Sequence, residues 1–156
     1  MRVALRWTAS LVLVVAAAIP MLPQLPSPEG IPFHFGGSFR VILIQGEVNG
    51  NRTSFIVDTG SNRTIISSKF VPMSSLNLKD RAEPAAGSGY AGRGAYANAS
   101  LKIGQQAWGN RQLLVVDLQD VSQSMGEEVG GLLGMDFLNE FEMVVVDIRH
   151  HELILR

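Results

Sequence analysis

Phe55-Ile56-Val57-Asp58-Thr59-Gly60-Ser61 is the stretch on which the reading of this chain turns. An apolar run leads straight into an acid, a hydroxyl residue and a glycine. The run reads as a buried strand, which puts the Asp58 carboxylate at a strand end where desolvation makes its charged form costly. Thr59 adds a hydroxyl with little bulk, and Gly60 lets another backbone come close. The same tripeptide also reads as a plain Asx-turn after a strand. Average composition produces Asp-[Ser/Thr]-Gly in roughly one chain of this length in fifteen, so a second signal is needed.

Outward from this point the chain reads almost entirely as short strands. Residues 39–44 form an apolar β-branched run. Val48, the turn Asn49-Gly50-Asn51 and residues 53–57 read as a hairpin, since Asn-Gly supplies the positive φ of a tight turn. Further strands are expected at 64–67, 99–103, 113–116 and 131–133. A last pair, 143–147 and 152–155, is joined by a turn at Arg149-His150. Only 135–140 invites a short helical turn, and no long segment carries a 3.6-residue period. Many short strands with glycine turns predict an all-β sandwich or barrel with one short helix.

The second signal is Gly130-Gly131-Leu132-Leu133-Gly134-Met135-Asp136-Phe137-Leu138. With it the chain resembles the retropepsin-like aspartic proteases, the single-lobe relatives of pepsin. That family carries a hydrophobic-hydrophobic-Asp-Thr-Gly loop early and a hydrophobic-hydrophobic-Gly strand followed by a short helix far downstream. Here the first is Ile56-Val57-Asp58-Thr59-Gly60 and the second is Leu132-Leu133-Gly134. The resemblance spans about residues 39–155, and the closing hairpin agrees with it. It implies a closed β-barrel in which the Asp58 loop passes the strand ending at Leu132, Leu133 and Gly134 in a ψ-shaped crossing. It also implies that Thr59 grips its counterpart across a dimer axis while Gly60 lets the two loops touch. Ser61 matches the pepsin-type loop; its hydroxyl either steadies the outer oxygen of Asp58 or caps the turn. No metal or other cofactor is implied.

The reaction so implied needs two carboxylates sharing one proton, since two close carboxylates do not both ionise. One draws a proton from a trapped water while its protonated partner polarises the amide carbonyl. The chain has a single Asp-Thr-Gly. Asp80, Asp117, Asp120, Asp136 and Asp147 lack a following Thr-Gly or Ser-Gly, so the second carboxylate is expected from a second copy. The expected active form is a homodimer with an isologous interface, acting on a peptide or protein substrate. The alternative is a catalytically idle domain of the same fold that binds peptides or dimerises, although binding alone has no need of Asp58.

Composition narrows the field in the same direction. The chain has 156 residues, 46% of them hydrophobic, enough for one domain and one core. Thirteen basic and 14 acidic side chains leave a net charge of −1, with no field to steer the chain toward nucleic acid. The absence of cysteine excludes disulfides, Cys-ligated zinc and a thiol nucleophile. Of the three histidines, His150 and His151 are adjacent and point to opposite faces of a strand, a poor metal clamp.

The N-terminus reads as an address. Arg2 and Arg6 precede an uncharged, mostly apolar run over residues 7–19, with Ala16-Ala17-Ala18 fitting a cleavage site. Residues 1–19 are therefore either a cleaved signal peptide or a membrane anchor. Both export the rest of the chain into a periplasmic or other extracytoplasmic space, secreted or anchored. Residues 20–32 carry five prolines and read as an extended linker, leaving 33–156 as the folded domain.

Gly87-Ser88-Gly89-Tyr90-Ala91-Gly92 matches a dinucleotide-binding pattern, but no strand precedes it, no helix follows and the nearest later acid is Asp117. In the resemblance this segment is the flap, whose backbone amides would bind substrate, with Gly87, Gly89, Tyr90 and Gly92 as the expected contacts. The bland reading is a surface loop, in which Arg93 is simply solvated. Asn51, Asn62 and Asn98 head Asn-x-Ser/Thr tripeptides, and Asn62 sits too near the candidate loop to favour its use. Trp108 and Phe137 are expected in the core rather than stacked on substrate.

Overall fold

The computed structural model describes residues 29–82 and 94–156. The expected address segment, the linker up to residue 28, and Gly87, Gly89, Tyr90, Gly92 and Arg93 lie outside the described residues. Among the described residues no helix is long and apolar enough to cross a membrane.

The elements in chain order are β1 (Ile31–Gly36), β2 (Val41–Val48), β3 (Asn51–Val57), β4 (Ile65–Ser67), β5 (Asn77–Ala82), β6 (Gly94–Ile103) and β7 (Gln106–Val116). After these come α1 (Gln119–Met125), β8 (Val129–Leu133), α2 (Met135–Leu138), β9 (Val144–Asp147) and β10 (Glu152–Leu155). Two single-turn 3-10 helices lie at Ser68–Phe70 and Met73–Ser75. The sheet runs β5-β6-β7-β4-β8-β3-β2-β1-β10-β9, and an additional pairing of β6 with β2 closes six of its strands into a ring. The expected all-β architecture is present, with its barrel closed through Val48 opposite Leu101 and Gly46 opposite Ile103.

Both faces of the central strands are buried, which is why they read as continuous apolar runs rather than alternating ones. Successive side chains point to opposite faces, and the two hydrophobic clusters divide them accordingly. Phe55, Ile66, Val115 and Leu133 enter one cluster, while Ile56, Ile65, Leu114 and Leu132 enter the other. The hairpin expected at Asn49-Gly50 is formed, with both residues at positive φ and Val48 opposite Asn51. Asn49 also ties the turn to its surroundings, accepting from the Ser100 N–H at 2.9 Å and donating to the Phe70 carbonyl at 3.0 Å.

Several expectations need correction: β6 and β7 start at Gly94 and Gln106 rather than at 99 and 113, and β5 is not expected from the sequence. Two α-helices are present among the described residues rather than one. α1 escapes a reading of the sequence because Gln119-Asp120-Val121-Ser122-Gln123-Ser124-Met125 is too short and polar to show a stripe. Val121 and Met125, one helical turn apart, still pack on the second cluster and cover the outer face of the central strands. The run expected at 39–44 starts instead at Val41, because residues 37–40 form a turn in which Arg40 has φ 53°. The expected linker ends before residue 31, since Ile31 and Pro32 already pair with Leu153 and Glu152 in β1. Proline at the start of a strand is tolerated where its missing N–H removes no ladder bond, and Phe33 then donates to the His151 carbonyl at 2.9 Å.

The feature that organises the core is the position of β8. It lies between β3 and β4, parallel to β3 through Ile56–Leu132 and Val57–Leu133, and antiparallel to β4 through Ile65–Leu132 and Ile66–Gly131. Two strands joined in sequence with a distant third strand inserted between them form the expected ψ crossing. At Gly131 the fit is so close that an added Cβ would lie 2.6 Å from the Ile65 carbonyl oxygen and 2.7 Å from the Phe55 ring. Gly131→Ala should therefore destabilise the fold by about 1–3 kcal/mol, the usual cost of overpacking, measured as a lower midpoint in urea denaturation. An unchanged midpoint would mean that the crossing is looser than its backbone spacing indicates.

Candidate active site

Asp58 is the first residue beyond β3, at the point where that strand leaves the sheet. Its N–H donates to the Leu133 carbonyl at 3.0 Å, extending the β3–β8 ladder by one bond. The loop then turns tightly: Ser61 N–H donates to the Asp58 carbonyl at 3.3 Å, and Gly60 N–H donates to Asp58 Oδ1 at 2.9 Å. An N–H aimed at a carboxylate oxygen fixes its rotation. Asp58 is half-buried, while Thr59 and Gly60 stand exposed at the loop tip. The other side of the loop is held just beyond that strand, where Met135 N–H at the start of α2 donates to the Ser61 carbonyl at 2.8 Å.

Ser61 is fully buried, and of its two candidate roles the geometry favours the turn cap. Its hydroxyl donates to the Arg63 carbonyl at 2.8 Å and accepts from the Arg63 N–H at 3.3 Å. Leu132 and Leu133 are buried in opposite faces of the crossing, one in each cluster. Gly134 follows them where the loop passes closest, and a Cβ there would lie 2.4 Å from the backbone carbon and oxygen of Arg63. No side chain fits in that space. Asp58, Thr59, Gly60, Ser61, Leu132, Leu133 and Gly134 are thus brought together at one crossing.

Two supporting residues are not evident from the sequence. Asp136 Oδ1 accepts from both the Thr64 N–H and the Thr64 hydroxyl, each at 2.7 Å, and Thr64 Oγ1 accepts from the Gly134 N–H at 3.1 Å. The pair thereby fastens the end of the Asp58 loop to the start of α2. The available signal is the carboxylate in the first turn of α2, directly after the Gly134 stop. Motif reading weighs Asp136 only as a second catalytic acid, a role its position inside this network does not serve.

Phe137 is a core residue, as expected, while Trp108 is only partly buried and packs against it with ring centroids 4.5 Å apart, Phe141 completing the aromatic group. Glu140, just past α2, accepts from the Trp108 indole at 2.7 Å and from Arg111. Burial pushes the Glu140 carboxyl up, but the Arg111 and Trp108 hydrogen bonds and the guanidinium charge outweigh it and hold the group below its usual range. The effect is to anchor the exit of α2 on β7. Beside the loop, Arg63 donates to the Tyr96 hydroxyl at 2.9 Å. No group of three or more metal-ligating side chains occurs among the described residues. A cleft of about 820 Å³ lined by Ser67, Lys69, Asp117, Ser122, Glu128 and Val129 lies at the opposite end of β8 from Asp58.

The buried Thr64 hydroxyl gives this site its own test. Asp136→Ala should cost about 1–3 kcal/mol by leaving the Thr64 donors unsatisfied, whereas Asp136→Asn keeps an acceptor and should cost less. Chemical denaturation of both variants separates the two, and equal losses would contradict the network.

The model of the family described as aspartyl protease matches residues 44–137, which include both strands of the crossing, the Asp58 loop and the start of α2. No curated protein matches the chain. Among solved structures, a retropepsin-like aspartic protease from Rickettsia conorii is similar at 21% identity and a TM-score of 0.49, over 81% of this chain and 89% of that one. The retroviral protease-like domain of Ddi1 from Leishmania major is similar at 12% identity and a TM-score of 0.48, with the same coverage. With the family model spanning more than half its length and its Asp-Thr-Gly held at the ψ crossing, the chain belongs to the aspartyl protease family.

Proposed function

We propose that this protein is an aspartic endopeptidase that works as a homodimer, each copy contributing Asp58 to one shared site. The observation that carries the reading is the placement of Asp58, its carboxylate oriented by the Gly60 N–H and its backbone N–H donating to the Leu133 carbonyl of β8. The Gly60 bond alone is the one a plain Asx-turn makes; what supports the catalytic reading is that the crossing also bonds the Asp58 N–H to Leu133 and the Ser61 carbonyl to Met135. The single Asp-Thr-Gly leaves the second carboxylate to a second copy, and the exposed Thr59 and Gly60 are the groups by which two loops would meet.

In the mechanism, two Asp58 carboxylates brought together share one proton, because ionising both at close range is costly. The ionised member takes a proton from a water held between them, and that water attacks the peptide carbonyl carbon. The protonated member donates to the carbonyl oxygen, giving a tetrahedral gem-diol with no bond to the enzyme. Proton transfer to the amide nitrogen then releases the amine and restores the shared proton. The glycine-rich segment 87–92 would close over a peptide or protein substrate as a flap. The apolar segment 7–19 would carry the domain out of the cytoplasm, and, if retained, would tether it to the membrane surface.

Asp58→Asn should lower hydrolysis of a peptide library by about 10³-fold or more, with folding unchanged, since Asn keeps the shape but cannot share the proton. Activity should be bell-shaped in pH, rising as one carboxylate ionises and falling as the second loses its proton. A statine-type transition-state mimic should bind the native chain far more tightly than the Asp58→Asn variant. Hydrolysis surviving in the purified variant would overturn the assignment.

A further inference from the structure

A single row of side chains crosses the sheet beside the candidate site. Ile56 on β3 stands opposite Leu132 on β8, and Leu132 opposite Ile65 on β4. Ile65 in turn stands opposite Leu114 on β7, and Leu114 opposite Tyr96 on β6. Residues directly opposite share a face of the sheet, and all of these belong to the second cluster or pack on it. Asp58 extends the β3–β8 ladder by one bond, so its side chain takes the same face as Ile56, two residues earlier. At the far end of the row the Arg63 guanidinium donates to the Tyr96 hydroxyl at 2.9 Å, its central carbon 5.8 Å from the centre of the ring. β3 leaves the sheet and β4 enters it at the same end, since β8 between them is parallel to the first and antiparallel to the second. Asp58 and Arg63 therefore stand on one face at one end of the sheet, with Gly134, which has no side chain, between them.

Arg63 is exposed, and among the described side chains no carboxylate pairs with it, whereas Lys69, Lys102 and Arg111 each have an acidic partner. A guanidinium presents five N–H donors in a fixed fork that matches a carboxylate. The Tyr96 hydroxyl takes one of them and holds the fork over the sheet face. We infer that Arg63 selects the substrate, receiving the carboxylate of a glutamate or aspartate in a peptide bound across Asp58. With β8 between them, β3 and β4 lie two strand spacings apart, about 10 Å. An extended peptide covers that distance in about three residues, so the acidic residue falls within about three positions of the bond that is cut. In a site built from two copies, the second copy's Arg63 takes the equivalent place on the other side of that bond. The like charge disfavours lysine or arginine at the same position. The inference rests on the peptidase reading above and names the class of peptide that its site prefers.

The probe is a set of statine-centred peptides, which bind without being cut, made in pairs that differ only by Glu or Gln at one of the positions flanking the statine. Calorimetry on the full-length chain should show the Glu member bound about tenfold or more tightly than the Gln member at one such position, the worth of a charge-assisted hydrogen bond. Arg63→Lys should keep part of this discrimination, Arg63→Gln should abolish it and Arg63→Glu should reverse it, each with native circular dichroism. Tyr96→Phe should weaken it by releasing the fork, and added salt should narrow it. Equal binding of both members at every position, no binding of either, or a Glu preference that persists in Arg63→Glu would overturn the inference. Cleavage of library peptides in any of those cases would leave the peptidase reading standing. A Glu preference lost in Arg63→Gln, in a chain that hydrolyses no library peptide, would leave the Arg63 contact standing and overturn the peptidase reading.

Discussion

The rest of this structure depends on the insertion of β8 between β3 and β4. Two strands adjacent in sequence are held apart by a third that arrives some 70 residues later, and the loop joining the first two must cross over its end. The crossing is possible only because Gly134 has no side chain to hold off the Arg63 backbone. It leaves the Asp58 N–H, the Ser61 carbonyl and the Met135 N–H all bonded within the crossing. A carboxylate on an ordinary loop would sample many positions; at this crossing it is held at both ends. The rigidity is a property of long-range backbone pairing, and the side chains then add to it through Thr64 and Asp136.

Most of the site is legible in the sequence because its chemistry and its fold use the same residues. The apolar run into Asp58-Thr59-Gly60 and the Leu132-Leu133-Gly134 stop are local patterns, and each reads correctly alone as a strand end. Their adjacency is not local. It becomes legible only through resemblance, since nothing in either segment specifies that they lie side by side. The Asn49-Gly50 hairpin is legible for a simpler reason: positive φ at both positions is a demand the sequence states directly.

The features that escape the sequence do so for physical reasons. α1 owes its helical state to Val121 and Met125 packing on the outer cluster, a tertiary contact that overrides a polar, short sequence. β1 is hidden behind prolines, because Pro32 reads as linker until its place at the strand start is known. The role of Asp136 is obscured by the search for catalytic acids, in which a carboxylate occupied with holding Thr64 looks like a failed candidate. The meeting of Arg63 with Tyr96 cannot be seen at all from hydropathy. Each reads as an ordinary residue of its own segment, and only the register across β3, β8, β4, β7 and β6 shows that they share a face with Asp58.

The central claim is that one active centre contains Asp58 from two copies of the chain. Mixing tests it most directly. Native chain, held at a fixed amount and given time to exchange protomers, would be assayed for peptide hydrolysis while the Asp58→Asn chain is added in increasing excess. If each centre needs both carboxylates, the added chain captures native protomers in idle pairs, and activity falls toward zero. Activity that stays constant under a large excess, with exchange verified by tagged chains, would show that a single Asp58 suffices and would contradict the account.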